Sequence, residues 1–136
     1  MNISSNEVRI QAKDETVYQM ISDCNHFRQY LPEIQNWQST ENSCNFTVQG
    51  IGNVEMNITK KNAFSTVVFD VKNPQIKALS IVFDIKNSES SCLLSGHSNI
   101  DIPIFVAQML KPSLQKFLNL LVERIKLAVE THVATS

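Results

Sequence analysis

The chain has 136 residues, 43% of them hydrophobic and 18% charged, with a formal net charge of -1. That length predicts one domain, residues 1–136, with a proper core, and the charge balance offers no field to nucleic acid. No run approaches the roughly 18 apolar residues of a membrane span, and the first residues carry no signal-peptide core, so the expectation is a cytoplasmic protein without an integral membrane segment.

Residues 2–12 read as a first strand, with Val8, Ile10 and Ala12 alternating with Glu7, Arg9 and Gln11. The period then changes. Asp14 is a good N-cap, Glu15 suits the first turn, and Val17, Met20 and Ile21 form one apolar face of a short helix ending near Asp23. A second short helix follows, with Phe27, Tyr30 and Leu31 on one side, and Pro32 stops it.

From Glu33 to about Ile102 the chain reads as consecutive strands. Ile34 to Ser39 holds the single tryptophan, Trp37, and Glu41–Ser43 turns. Phe46 and Val48 lead into Gly50–Asn53, a turn or bulge where glycine permits positive φ. Val54, Met56 and Ile58 alternate with polar residues up to a turn at Lys61-Asn62. Phe64 to Val71 is strongly β-prone, Asn73-Pro74 marks a loop, and Leu79, Ile81, Phe83 and Ile85 alternate again. After a turn at Asn87–Ser90, Cys92 to Ile102 is the last strand. Connections this short favour sequential antiparallel neighbours.

The stretch from Phe105 to Thr131 reads as one long helix. Leu114, Phe117, Leu118, Leu121, Ile125, Ala128 and Val129 recur at the spacing of a single buried face. Leu120, Val122 and Leu127 widen it, while Gln115, Lys116, Asn119, Glu123, Lys126 and Glu130 take the opposite side. Pro112 predicts a kink or break. The fold class is therefore α+β: a curved antiparallel sheet around a long C-terminal helix, with two short helices after the first strand.

The run Ala12-Lys13-Asp14-Glu15-Thr16-Val17-Tyr18-Gln19-Met20-Ile21-Ser22-Asp23, followed by Phe27, Tyr30, Leu31 and Pro32, resembles the helix-grip superfamily of START-like and birch-pollen-allergen-like domains. Met109-Leu110-Lys111-Pro112 in the final helix also looks like that family. The resemblance covers nearly the whole chain. It implies a cavity between sheet and long helix, opening near the short helices, that binds or carries a small hydrophobic ligand of the lipid, sterol, quinone or polyketide class. It also implies two alternatives: an enzyme of the polyketide cyclase/dehydrase type, and a protein-interaction module with a closed core. Such motifs speak for fold and are nearly silent on function.

Large apolar and aromatic residues close to where helices and sheet meet are the candidates for lining the pocket: Tyr18, Phe27, Tyr30, Trp37, Met56, Phe83, Met109, Phe117 and Leu121. Plain core packing is the competing reading of each. Tyr18, Tyr30 and Trp37 carry polar handles that can orient a ligand.

No catalytic constellation emerges. His97 shares a strand face with Ser95, Asn99 and Asp101, opposite Leu94, Ile100 and Ile102, so alternation points it to water. Asp70 and Asp84 read as residues of the solvent face. Cys24 and His26 are close enough in sequence for a thiolate pair, although a loop between two helices assures them no orienting acid. Cys24, Cys44 and Cys92 form no CxxC, and the histidines form neither HxH nor HExxH, so no metal is expected and the thiols read as reduced and packed. There is no GxGxxG, GKS/T or GxSxG, hence no expected cofactor loop or esterase elbow. Composition sets no oligomeric state, and an exposed sheet edge leaves a dimer open.

Overall fold

Alternating burial organises the middle of the chain. Thr66–Asn73 (β6) buries Val67, Phe69 and Val71, Ile76–Ser88 (β7) buries Leu79, Ile81, Phe83 and Ile85, and Ser91–Ile100 (β8) buries Cys92, Leu94, Ser98 and Ile100. Their register sets Phe83 opposite both Val67 and Gly96, so the apolar residues of the three strands share one face. The computed structural model describes residues 2–31, 33–48, 52–74, 76–100 and 103–135, without the side chains of 76–78. Pro32, Gly50, Ile51, Asp101 and Ile102, which figure in the expectations above, lie outside the described residues.

The remaining strands are Asn2–Ser4 (β1), Val8–Ile10 (β2), Ile34–Ser39 (β3), Ser43–Val48 (β4) and Gly52–Asn62 (β5). All pairing is antiparallel, in the order β1-β8-β7-β6-β5-β4-β3, with β2 also on β8. Irregular register within β3 and β5 curves the sheet, as extra residues on one strand do. Gly52 opens β5 at φ 96°, the left-handed region that glycine enters at little cost.

The expected single first strand is two. Ser4 pairs with His97 and Val8 with Leu94, so four steps on one side match three on the other. Ser5 takes up the surplus: its amide donates to the Gly96 carbonyl at 2.7 Å, and its hydroxyl accepts the Gly96 amide at 2.8 Å.

The first helix, Asp14–Ile21 (α1), buries Val17, Met20 and Ile21. Lys13 holds the N-cap position and Asp14 sits in the first turn, its carboxylate accepting the Glu15 amide at 2.8 Å. The second short helix, Cys24–Tyr30, is a 3-10 helix opened by Asp23, whose side chain accepts the Asn25 amide. Its buried residues Cys24, Phe27 and Tyr30 recur every third position, the period of that helix.

The long helix, Ile104–Thr135 (α2), runs without a break through Pro112. Pro112 is exposed, and so is Gln108, whose carbonyl the missing N–H of the proline leaves without its helical donor. Leu118, Leu121, Val122, Ile125 and Val129 pack against the sheet. Leu120 and Leu127, expected to widen that face, are instead exposed. The polar flank is not simply solvated. Asn119 accepts the Asn6 amide at 2.7 Å, Glu130 accepts the Gln11 amide at 2.9 Å, and Lys126 donates to the Arg9 carbonyl at 2.7 Å. Gln115 also donates to the Ser4 carbonyl. These side chains satisfy the outer backbone of β1 and β2 and cover that sheet edge.

Candidate ligand-binding site

The 3-10 helix, the mouth of β3 and β4, and the middle of α2 converge on one cleft. Tyr30 and Leu31 come from the end of the 3-10 helix, Ile34 from the start of β3, Val48 from the end of β4, and Phe117, Leu120 and Leu121 from α2. The cleft encloses about 120 Å³ and its wall is almost wholly apolar. It lies where the sheet–helix cavity is expected to open.

Of the nine residues expected to line a pocket, Tyr30, Phe117 and Leu121 do line this cleft. Phe27, Met56 and Phe83 are fully buried in the core. Phe27, Phe69 and Phe83 pack ring to ring, with centroids 4.9 to 6.4 Å apart, and Tyr30 meets Phe27 edge-on at 5.0 Å. This aromatic cluster fills the space between sheet and helices that a larger cavity would occupy. Trp37 is half-buried and stacks on Phe46 at 5.6 Å, outside the cleft. Tyr18 packs edge-on against Phe64 in the β5–β6 turn, away from the cleft. Met109 lies outside the cleft: it is 77% exposed, on the side of α2 away from the buried Ala107.

Leu31, Ile34, Val48 and Leu120 also line the cleft, although the sequence pattern did not place them there. Leu31 and Ile34 carried a readable signal, since they bracket the junction between the second short helix and β3. Val48 and Leu120 carried none, because only the tertiary fold brings them together.

The polar handles are largely engaged within the protein. The Tyr30 hydroxyl donates to the Met20 carbonyl at 3.2 Å, and burial, reinforced by the charge of Asp23, holds it above the ordinary phenol range. Trp37 donates its indole N–H to Ser39 at 3.2 Å. His97 is exposed beside Asp84 at 3.3 Å on the outer face, as alternation predicts. Cys24 does not pair with His26. Its thiol is buried against Cys44, whose own ionisation is pushed up by that hydrogen bond and by burial, while His26 lies 3.9 Å from Asp23. Burial, with a smaller contribution from Asp14, pushes the Cys92 thiol up to about 11. Among the described residues no three His, Cys, Asp or Glu side chains converge as a metal site requires.

A second hollow, open to solvent, runs beside the other flank of α2. Met20, His26, Gln29, Arg124, Leu127, Ala128, Thr131 and His132 line its roughly 390 Å³. It is a surface groove with mixed polarity and lacks the enclosing sheet wall of the cleft.

Several solved structures share this architecture. A START superfamily protein from Mycobacterium smegmatis superposes with a TM-score of 0.75 at 18% identity, covering 96% of this chain and 97% of its own. Norcoclaurine synthase from Thalictrum flavum, in complex with dopamine and hydroxybenzaldehyde, gives 0.78 at 11% identity, covering 97% and 87%. CalU16 from Micromonospora echinospora gives 0.57 at 13%, covering 93% and 79%. No family model matches the sequence, and no curated protein matches it significantly. At these identities the likeness speaks to architecture: the chain folds as a helix-grip domain of the START-like and birch-pollen-allergen-like type.

Proposed function

We propose that this protein binds a small hydrophobic ligand non-covalently, in the cleft between the 3-10 helix, the β3–β4 mouth and α2. The observation that carries the reading is the wall of that cleft, almost wholly apolar among the described residues and open between sheet and helix. Its size sets the ligand. Small-molecule sites usually enclose about 300–1,000 Å³, whereas an apolar cavity of about 150 Å³ accepts benzene. At about 120 Å³ the cleft suits a single ring or the end of an acyl chain. A sterol or a multi-ring polyketide requires α2 to move outward. A neighbour of the same fold solved with dopamine and hydroxybenzaldehyde supports a ligand with one aromatic ring.

Binding is favoured over turnover. Among the described residues of the cleft wall Tyr30 is the one titratable group, and its hydroxyl is held by Met20. Buried, reduced thiols fit residence in the cytoplasm. The packed aromatic cluster of Phe27, Phe69 and Phe83 favours a second reading, a protein-interaction module whose closed core is a scaffold.

Native mass spectrometry on freshly purified protein, followed by denaturing extraction, tests the proposal. The expected result is a stoichiometric adduct that is lost on unfolding and is absent from Val48→Trp, which fills the cleft. No adduct, together with no thermal shift from single-ring phenols, quinones, sterols or fatty acids, overturns it in favour of the interaction module.

A further inference from the structure

The outward side of α2 carries a pattern that complements itself. Leu120 and Leu127 stand one heptad apart there, 41% and 63% exposed. Glu123 and Arg124 lie between them, both exposed, and neither side chain forms a hydrogen bond or ion pair with another described residue. These four side chains, at i, i+3, i+4 and i+7, frame a shallow hollow of about 280 Å³ flanked by Lys126 and Glu130. A hollow of this make-up is the hole that receives a side-chain knob from a facing helix.

We propose that this face is an interface between two copies of the chain, with their α2 helices packed antiparallel about a two-fold axis passing between Glu123 and Arg124. The order Leu-x-x-Glu-Arg-x-x-Leu reads the same in both directions with the charge signs exchanged. An antiparallel copy therefore sets Leu120 against the other Leu127 and Glu123 against the other Arg124, each contact made twice, as an isologous interface demands. A parallel copy sets Glu123 against Glu123 and Arg124 against Arg124, so the charges select the antiparallel arrangement. Two leucines from each copy and two ion pairs in all make a small interface, hence a dimer in rapid exchange that fills at high protein concentration. The proposal is independent of the ligand reading, although Leu120 belongs to the rim of both the cleft and this hollow.

Sedimentation velocity from low micromolar to millimolar protein tests it. Wild-type protein is expected to sediment faster as concentration rises. E123R opposes four guanidinium groups across the axis and R124E opposes four carboxylates, so each variant alone should associate at least tenfold more weakly. Mixed in equal amounts, the two variants should recover the dimer, because one supplies the guanidiniums and the other the carboxylates. Both substitutions are at exposed positions, and circular dichroism and melting of each variant check that the fold is kept. Wild-type protein that stays monomeric at millimolar concentration overturns the proposal. So does a dimer indifferent to either charge reversal, or folded single variants whose mixture fails to associate.

Discussion

The ring of Phe83 occupies the space that a side chain at Gly96 would need. The two residues face each other across β7 and β8, and a Cβ at 96 would stand 3.3 Å from Cε1 of Phe83 and 3.7 Å from Val122. Phe83 is itself wedged between Phe69 and Phe27 and cannot swing away freely. Overpacking of a dense core costs about 1–3 kcal/mol. G96A is expected to lower stability by that amount in urea unfolding, and an unchanged midpoint would show that the aromatic cluster yields.

Acid should loosen the seam between α2 and the first strands. The Lys126 ammonium, 2.8 Å away, holds the Glu130 carboxyl below its ordinary value of 4.5, and the Gln11 amide acts in the same direction. A depressed pKa in the folded state gives stability that is complete above the unfolded value of 4.5 and is lost as pH falls through the folded value. E130Q should therefore melt lower than wild type at neutral pH, with the gap closing as pH drops below 4.5. A gap that stays constant with pH counts against this assignment.

Phe117→Ala should widen the cleft. Phe117 is half-buried on its wall, so the loss of stability should be about 3 kcal/mol or less, below the cost of truncating a fully buried ring. The same variant should bind bulkier hydrophobic ligands more tightly than wild type does, as read by calorimetric titration. Weaker binding of every ligand tried would mean that the Phe117 ring is itself a principal contact.

Native protein should resist thiol reagents. Cys24, Cys44 and Cys92 are all buried, and burial keeps the Cys92 thiol protonated up to about 11. Titration with a chromogenic disulfide near neutral pH is expected to modify no thiol quickly in the folded state and all three after denaturation. Fast modification of the folded protein would reveal local opening at the 3-10 helix or at β8.

Removing residues 105–136 should leave no folded domain. The buried Leu118, Leu121, Val122, Ile125 and Val129 contribute about 8–15 kcal/mol at most, which matches the entire stability of an ordinary domain. A truncated chain that still melts cooperatively would contradict this.

The strand run from Thr66 to Ile100 and the buried face of α2 were legible because polarity alternates with the local backbone period. The outward placement of His97 followed from the same alternation. Local pattern could not place Leu120 and Leu127, which are apolar yet face away from the sheet, since width of the buried stripe is set by what packs against it. Nor could it foresee that Ser5 splits the first strand, a matter of register with β8, or that α2 continues past Pro112, a matter of what surrounds the freed carbonyl. The size of the cavity had no reading in the sequence, because the space left over depends on how Phe27, Phe69 and Phe83 pack, and volume is not written along the chain.

The anchoring of β1 and β2 has a consequence for synthesis. Asn2 pairs with Asn99, Asn6 is held by Asn119, and Gln11 by Glu130, so β1 and β2 find their partners in β8 and α2, which are translated well after them. Contacts of such long sequence separation form slowly. A nascent chain on the ribosome can assemble the meander from β3 to β7 early, but its amino-terminal strands must wait unpaired until β8 and α2 have emerged. The exposed edge that waits with them is where a chaperone would have most to protect.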